Sequence, residues 1–416
     1  MESYMERYMS KTIWIFNDYA GSKYHGMEFR NYYVARELVK MGHKVTIVSA
    51  SYMHLFKQLP KTDGKKYTFE MIDGIEYIWV DVPHYSTSTD KKRVWKWFVF
   101  VKRLYELPIK KMTKPDYVIA SPMAPFLIKP AHYFAKKFNA KLVYEIKDIW
   151  PLSLMELGGY GKNNPLIFLM QKFANYGYKN ADRTLSVLSN AHEYIKEFGL
   201  KKEKFRYIPN GISLEEMQNI KPLNVKTKEM LPKNKFIVGY TGTIGIANAM
   251  ESFVDTAKLL NDYPKIELVL VGDGKDRALL KERAKTLKLN NITFIDPIEK
   301  DEVQSILDVF DVCFIGWHDK KVYEYGISAN KIFDYMYSGK PILHAFSGRG
   351  DLVKMADCGT SVKAQDEQAI ADGIIELYHM MKEKREQLGK KGKEYVLKHH
   401  TYENIAKEFI KILKEI

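Results

Sequence analysis

The chain alternates, twice over, short apolar β-branched runs with segments of helical period, and that alternation restricts it to a parallel α/β architecture. The first round opens with TIWIF (12–16), passes through the polar loop YAGSKYHG and a helix-period stretch (27–41), turns at Gly42, and re-enters an apolar run at 45–48. Strand-like runs recur within 66–82 and at 116–120, 141–146 and 184–188. The second round opens alike, FIVGY (236–240) running into the glycine loop TGTIGIANAM (241–250), with later strands at 266–271, 292–295, 311–315 and 342–345. Such sheets hold ligands in the loops at the carboxyl ends of their strands. At 416 residues, two doubly wound domains facing each other across a cleft are expected. The first domain is read as 1–212, followed by a polar, Lys-rich linker at 213–235 with Pro222 and Pro232, a second domain at 236–398, and a terminal helical segment at 399–416 that packs on the first domain.

The stretch 325–341, YGISANKIFDYMYSGKP, carries the sharpest local chemistry. Gly326 permits an unusual turn, Ser328 is placed to cap a helix at 329–338, and Gly339 and Pro341 stop it. A helix start presents unpaired N–H groups and partial positive charge, and Lys331 in the first turn adds a full charge, which together describe an anion site suited to phosphate. Asp334, one turn on, offers a carboxylate to sugar hydroxyls. The plain alternative is a capped helix with a Gly-Pro stop.

The glycine loop after FIVGY has Gly239, Gly242 and Gly245 spaced three apart, which departs from the dinucleotide fingerprint and makes a nicotinamide enzyme a poor fit. It still suits a diphosphate. In the first domain, Gly26 is read as permitting close approach of a substrate to a helix start, or as a simple helix-entry glycine. Glu145, Lys147 and Asp148 crowd the end of one strand, beside Trp150 and Pro151, and are read as a polar substrate site or a charged surface loop.

Charge is informative because Lys plus Arg total 65 against 51 for Asp plus Glu, a net of +14, so a negative partner is expected. The excess concentrates at 91–114, which holds nine basic residues and one acid, Glu106. There Val94, Trp97, Phe98, Val101, Leu104 and Tyr105 recur at helical spacing with Trp95 nearby. This reads as an amphipathic anchor to an anionic membrane surface or as a core-facing helix with a solvated basic face. No run of about 18 apolar residues is present. The polar N-terminal stretch MESYMERYMSK lacks the regions of a secretion signal, so a cytoplasmic location is expected. Two cysteines, Cys313 and Cys358, cannot make a zinc site by themselves, and Cys313 reads as a buried thiol.

These residues together resemble the retaining nucleotide-sugar glycosyltransferases of family 4, which have the GT-B fold of two Rossmann-like domains. The resemblance runs from the first strand and its Gly26 loop through GHKVTIV (42–48), PNGI (209–212) and VGDG (271–274). DIWPLSLMELG (148–158) and GISANKIFDYM (326–336) are similar to stretches shared by bacterial O-antigen and capsule transferases of the N-acetyl-L-fucosamine transferase type. The resemblance implies metal-independent, cofactor-free transfer of a sugar from a UDP-sugar to a polyprenyl-diphosphate-linked saccharide, at the inner face of the cell membrane. Family members often carry Glu-x7-Glu at the donor site. Asp334 stands at the second position, for the ribose, while the first acid falls on Gly326 and Glu324 is only a neighbour. The Arg and Lys that many members place in the loop after the first strand of the second domain are absent, and Lys331 with its helix start is read as their replacement. Lys147 stands where the family often has a His.

The donor set implied is Gly242, Thr243, Gly245, Ile298, Gly326, Ser328, Asn330, Lys331 and Asp334, the acceptor set Gly26, Glu145 and Asp148, and the catalytic set Asp148, Lys147 and Lys331. A nucleotide-sugar 2-epimerase of the same fold, a basic nucleic-acid-binding protein and an inactive scaffold are the alternatives. No nucleic-acid module is recognisable in the sequence, so nucleic acid is not an expected partner.

Overall fold

The structure, a computed structural model, describes residues 10–87, 90–245 and 248–416. Most of the N-terminal stretch, and with it the reading that it lacks a secretion signal, lies outside the described residues, as do Ile246 and Ala247 of the glycine loop. Two compact units are formed. One holds the described residues up to Pro209 together with Tyr402–Ile416, and the other is Asn210–Thr401.

The first unit contains eight strands, β1 (Thr12–Phe16), β2 (Lys44–Ala50), β3 (Tyr67–Ile72), β4 (Ile75–Val80), β5 (Tyr117–Ala120), β6 (Lys141–Ile146), β7 (Arg183–Ser186) and β8 (Phe205–Tyr207). They form one sheet in the order β3-β4-β2-β1-β5-β6-β7-β8, parallel throughout except for the β3–β4 pair. The order reverses direction between β1 and β5, so the loops that follow these two strands flank the switch point where such sheets bind ligands. The central strands are apolar on both sides because helices cover both faces. β1 is buried along its whole length.

The second unit contains β9 (Phe236–Thr241), β10 (Ile266–Val271), β11 (Ile292–Ile295), β12 (Val312–Gly316), β13 (Ile342–Ala345) and β14 (Gly359–Val362). All are parallel, in the order β11-β10-β9-β12-β13-β14, with the switch point between β9 and β12. Cys313 and Cys358 are buried free thiols in this unit, each pushed up to about 12 by desolvation.

Three boundaries differ from the sequence reading. Residues 213–235 are built into the second unit. They carry the helices Leu214–Gln218 and Val225–Met230, bury Met217, Leu223 and Thr227, and anchor at Asn224, whose N–H donates to Glu302 Oε1 at 3.0 Å. Polar composition concealed this because the segment is held in large part by polar contacts, among them the Lys221–Asp301 and Lys226–Asp296 ion pairs. The 27–41 helix begins only at Arg30, since residues 17–28 are tied into a loop by Gly21 N–H to Glu28 O (2.9 Å) and Glu28 N–H to Tyr19 O (3.2 Å). Finally, the terminal helix is Tyr402–Lys414, the preceding Lys382–His399 helix belonging to the second unit. Tyr402, Ile405, Phe409 and Leu413 join the core of the first unit against the Arg30–Lys40 helix, with Tyr402 and Tyr33 ring centroids 4.7 Å apart.

Candidate functional site

In the second unit the loops at the carboxyl end of the sheet are assembled backbone against backbone. Gly272 and Gly274, after β10, have φ of +143° and +155°, and a Cβ on either would lie 2.0 Å from Gly242 O or 2.2 Å from Ile244 O. The VGDG sequence is therefore what lets the β10 loop lie on the β9 loop, with Ile244 N–H donating to Asp273 O at 2.8 Å. Gly272→Ala is expected to displace the 241–245 loop and to abolish ligand binding there while the chain stays folded, which nucleotide titration together with circular dichroism checks.

Against this loop stands the Asn330–Ser338 helix. Its N-cap is Ala329, which makes no side-chain cap, and Ser328 does something else. Ser328 Oγ accepts from the Asn210 N–H at 3.0 Å, and its carbonyl accepts from Asn210 Nδ2 at 2.7 Å. The expected Ser328 cap is thus corrected: the side chain fastens the PNGI turn, and the first N–H groups of the helix are left without a side-chain cap. Asn330 is exposed in the first turn.

Lys331 is brought to the glycine loop. Its Nζ donates to Tyr240 Oη (2.5 Å) and Asn248 Oδ1 (2.9 Å), sits 4.1 Å from the Tyr240 ring centroid, and lies 3.1 Å from where a Cβ on Gly242 would be. Any side chain at Gly242, whose φ is +130°, would contest that place. Desolvation pushes the Lys331 ammonium down to about 7, opposed only by Asp334. Asp334, half-buried, is pushed up to about 6 by desolvation, with Lys300 and Lys331 pulling it down and Glu216 pushing it up. Among the described residues its carboxylate makes no hydrogen bond.

Gly326 has φ +104° and is buried, a conformation that disfavours the acid seen at this place in the resembling family, while Glu324 is exposed in the preceding turn. Thr243 contributes its carbonyl, which accepts from Tyr240 Oη at 2.6 Å and Asn248 Nδ2 at 2.9 Å. Gly245 and the half-buried Ile298 belong to loops at this same sheet end, after β9 and β11. Tyr240 and Asn248 were missed from sequence. Asn248 is the polar side chain in the loop nearest the helix, which was the available signal.

The first unit carries a buried polar network at the ends of β1, β5 and β6. Glu145, 1% exposed, accepts from Arg30 Nε (3.0 Å), Ser121 Oγ (2.6 Å) and Asn31 Nδ2 (3.3 Å). Arg30 also donates to Ile208 O (3.0 Å) and Pro209 O (2.6 Å). Burial raises the Glu145 pKa, but Arg30, Lys147 and Ser121 outweigh it and the net shift is downward. Glu145 is therefore corrected from a ligand to the buried counter-ion of Arg30. Lys147 donates to Glu28 Oε2 (2.5 Å) and Asn31 Oδ1 (2.7 Å), so its charge is already matched.

Gly26 is corrected too. It is buried three residues before the helix N-cap, and a Cβ there would meet Leu55 O and Lys57 N at 3.0 Å, so the glycine serves backbone packing, not substrate approach. Asp148 alone of the expected acceptor residues stays open. It is exposed, and among the described residues its carboxylate makes no hydrogen bond or ion pair. Desolvation pushes its carboxyl upward against the pull of Lys147, with Glu28 adding to the rise. Its exposure makes that shift modest in consequence. Among the described residues no three His, Cys, Asp or Glu side chains are grouped to hold a metal ion.

The family models divide the chain along similar lines. Residues 24–216 match Glycosyltransferase Family 4, and residues 224–395 match Glycosyl transferases group 1. The protein is a glycosyltransferase of the GT-B fold. This glycosyltransferase is 25% identical over 285 residues to WcaI of Escherichia coli K12, named for colanic acid biosynthesis, covering 66% of this chain and 69% of WcaI. Among solved structures it resembles sucrose-phosphate synthase of Thermosynechococcus elongatus, with a TM-score of 0.72, 17% identity and coverage of 97% and 98% of the two chains. It also resembles HepE of Anabaena in complex with UDP-glucose, with a TM-score of 0.67, 14% identity and coverage of 98% and 100%. At those identities the likeness to solved structures is one of fold.

Proposed function

We propose that this glycosyltransferase moves a sugar from a UDP-sugar to a polyprenyl-diphosphate-linked saccharide in surface-polysaccharide synthesis, with retention at the anomeric carbon. The sugar is taken to be an N-acetylated amino or deoxyamino sugar, and the polymer an O-antigen or capsule. The observation that carries the reading is the Lys331 amine laid against Gly242 and held by Tyr240 and Asn248. Among the described residues Lys331 makes no ion pair, desolvation outweighs the pull of Asp334 and depresses its ammonium to about 7, and a diphosphate supplies the missing contact charge. WcaI, named for colanic acid biosynthesis, and HepE, solved with UDP-glucose, support this reading of the substrate classes.

In this reading Lys331, the first N–H groups of its helix and the 242–245 backbone stabilise the charge that grows on the leaving diphosphate, and Asp334 holds the ribose hydroxyls. The departing phosphate takes the acceptor proton, so no separate base is assigned, and Asp148 positions a sugar hydroxyl. The enzyme works on the inner face of the membrane, with residues 91–114 toward the lipid. Among the described residues no helix is long and apolar enough to cross a membrane.

Calorimetric titration with UDP and GDP tests the donor site. UDP is expected to bind selectively, and Lys331→Ala and Asp334→Ala each weaken it. Failure of both nucleotides to bind, or parent-like affinity in both variants, sinks the assignment.

The same titration has a pH signature. Free Lys331 loses its proton as pH rises through about 7, and a bound diphosphate favours the charged form, so binding at pH 8 takes up a proton and affinity falls as pH rises above 7. Repeating the titration in buffers of different ionisation enthalpy measures that uptake, which Lys331→Met is expected to remove.

A further inference from the structure

The Lys92–Leu104 helix was expected to carry one apolar stripe, and it carries two. Lys96, Trp97, Phe100 and Leu104 are buried, with Lys96 Nζ donating to Asp18 O at 2.8 Å. On a different face Trp95, Phe98, Val99 and Lys102 follow one another at helical spacing, Trp95 being 60% and Phe98 37% exposed, with Glu106 in the turn just past the helix end. Joined by Lys66 and Arg103, they line a groove of about 470 Å³.

The chemistry of the groove is divided. Trp95, Phe98 and Val99 make an apolar floor. Along its rim Arg103 is committed to Asp81 at 2.6 Å and Lys66 to Glu106, while Lys102 makes no ion pair among the described residues. Exposed Lys91, Lys92, Lys110, Lys111 and Lys114 flank the helix, also without ion pairs among the described residues. An exposed tryptophan and phenylalanine beside uncompensated cations match a ligand that is apolar at one end and anionic at the other. A second copy of the chain fits less well, because a net charge of +14 with this basic face turned toward its own image is repulsive.

We propose that this groove binds one anionic phospholipid of a bilayer surface, the first carbons of an acyl chain lying on Trp95, Phe98 and Val99 and the headgroup phosphate lying against Lys102 and its flanking lysines. This deepens the membrane location given above and does not depend on sugar transfer, so it is tested without a nucleotide sugar.

The full chain is sedimented with phosphatidylcholine vesicles, with and without phosphatidylglycerol. Binding is expected only to the anionic vesicles. The double variant Trp95→Ser, Phe98→Ser is expected to weaken partitioning roughly tenfold or more. Because Phe98 also packs on Phe126, with ring centroids 5.1 Å apart, the single variant Trp95→Ser, at a 60% exposed side chain, is expected to weaken it with an unchanged thermal midpoint. Lys102→Glu is expected to weaken it roughly fivefold for each unit of charge lost. Lipids brominated near the headgroup end of the acyl chain quench tryptophan emission in the parent, and less in Trp95→Phe. Equal binding to neutral and anionic vesicles overturns the proposal, as does parent-like binding by the double variant. So does a dimer in sedimentation velocity that the double variant dissolves, or retention by RNA without retention by vesicles.

Discussion

Lys331→Met is expected to lower sugar transfer from a UDP-sugar by roughly 10²–10³-fold in kcat, the scale found when one preorganised donor to a developing negative charge is removed. Methionine keeps most of the length and apolar bulk of the side chain, so the Asn330–Ser338 helix and the Gly242 contact survive, and the loss reports on charge. The geometry says why it is large: the Lys331 amine is laid against Gly242 of the 241–245 loop, and Tyr240 and Asn248 hold it there in advance. Tyr240→Phe removes one hydrogen bond to that amine and the Tyr240 Oη bond to Thr243 O but leaves the charge in place, and is expected to cost less, roughly tenfold. Steady-state kinetics on the two variants, with UDP affinity measured separately, divides ground-state binding from transition-state stabilisation. Equal effects of the two substitutions would argue against a charge role for Lys331.

A change of comparable size in stability is expected from Glu145→Ala. The Arg30 guanidinium, 3% exposed, then keeps its bonds to Ile208 O and Pro209 O but loses its buried counter-ion, and breaking such a pair costs about 3–5 kcal/mol. Denaturant unfolding followed through the first unit measures it, and the paired change Arg30→Met, Glu145→Leu is expected to recover much of the loss. Acid does reversibly what the mutation does permanently. Because the folded pKa of Glu145 lies below its unfolded value, its stabilisation is complete above pH about 4.3 and fades as pH falls through the lower folded value.

The contrast between these two residues shows what the sequence could convey. Lys331 was legible because its neighbours in the chain, a glycine turn before it and a Gly-Pro stop after it, mark a helix start on their own, and a cation there is locally anomalous. The strand ends were legible for a similar reason, since a β-branched run that stops at glycine or at clustered polar residues can only be a strand leaving its sheet. Glu145 was misread because its partner stands 115 residues away, and nothing local distinguishes an acid bound for a buried arginine from one bound for solvent. Gly26 failed likewise, its packing partners being the backbone of residues 55–57. The basic helix was half legible. Two apolar stripes lie on one cylinder, and a period count merged Trp97 and Leu104 with Phe98 and Tyr105, though burial separates them.

The return of the Tyr402–Lys414 helix to the first unit has a consequence for how the polypeptide is made. A ribosome that has finished the eight strands of the first unit has produced a sheet and a set of helices whose apolar surface still lacks Tyr402, Ile405, Phe409 and Leu413. That surface stays uncovered while the second unit, Asn210–Thr401, is synthesised and folds. The nascent first unit therefore waits with a sticky face for the length of another domain, the situation in which chaperones bind emerging chains. A chain cut after Thr401 is expected to accumulate in the insoluble fraction, and supplying 402–416 as a separate peptide to recover part of it.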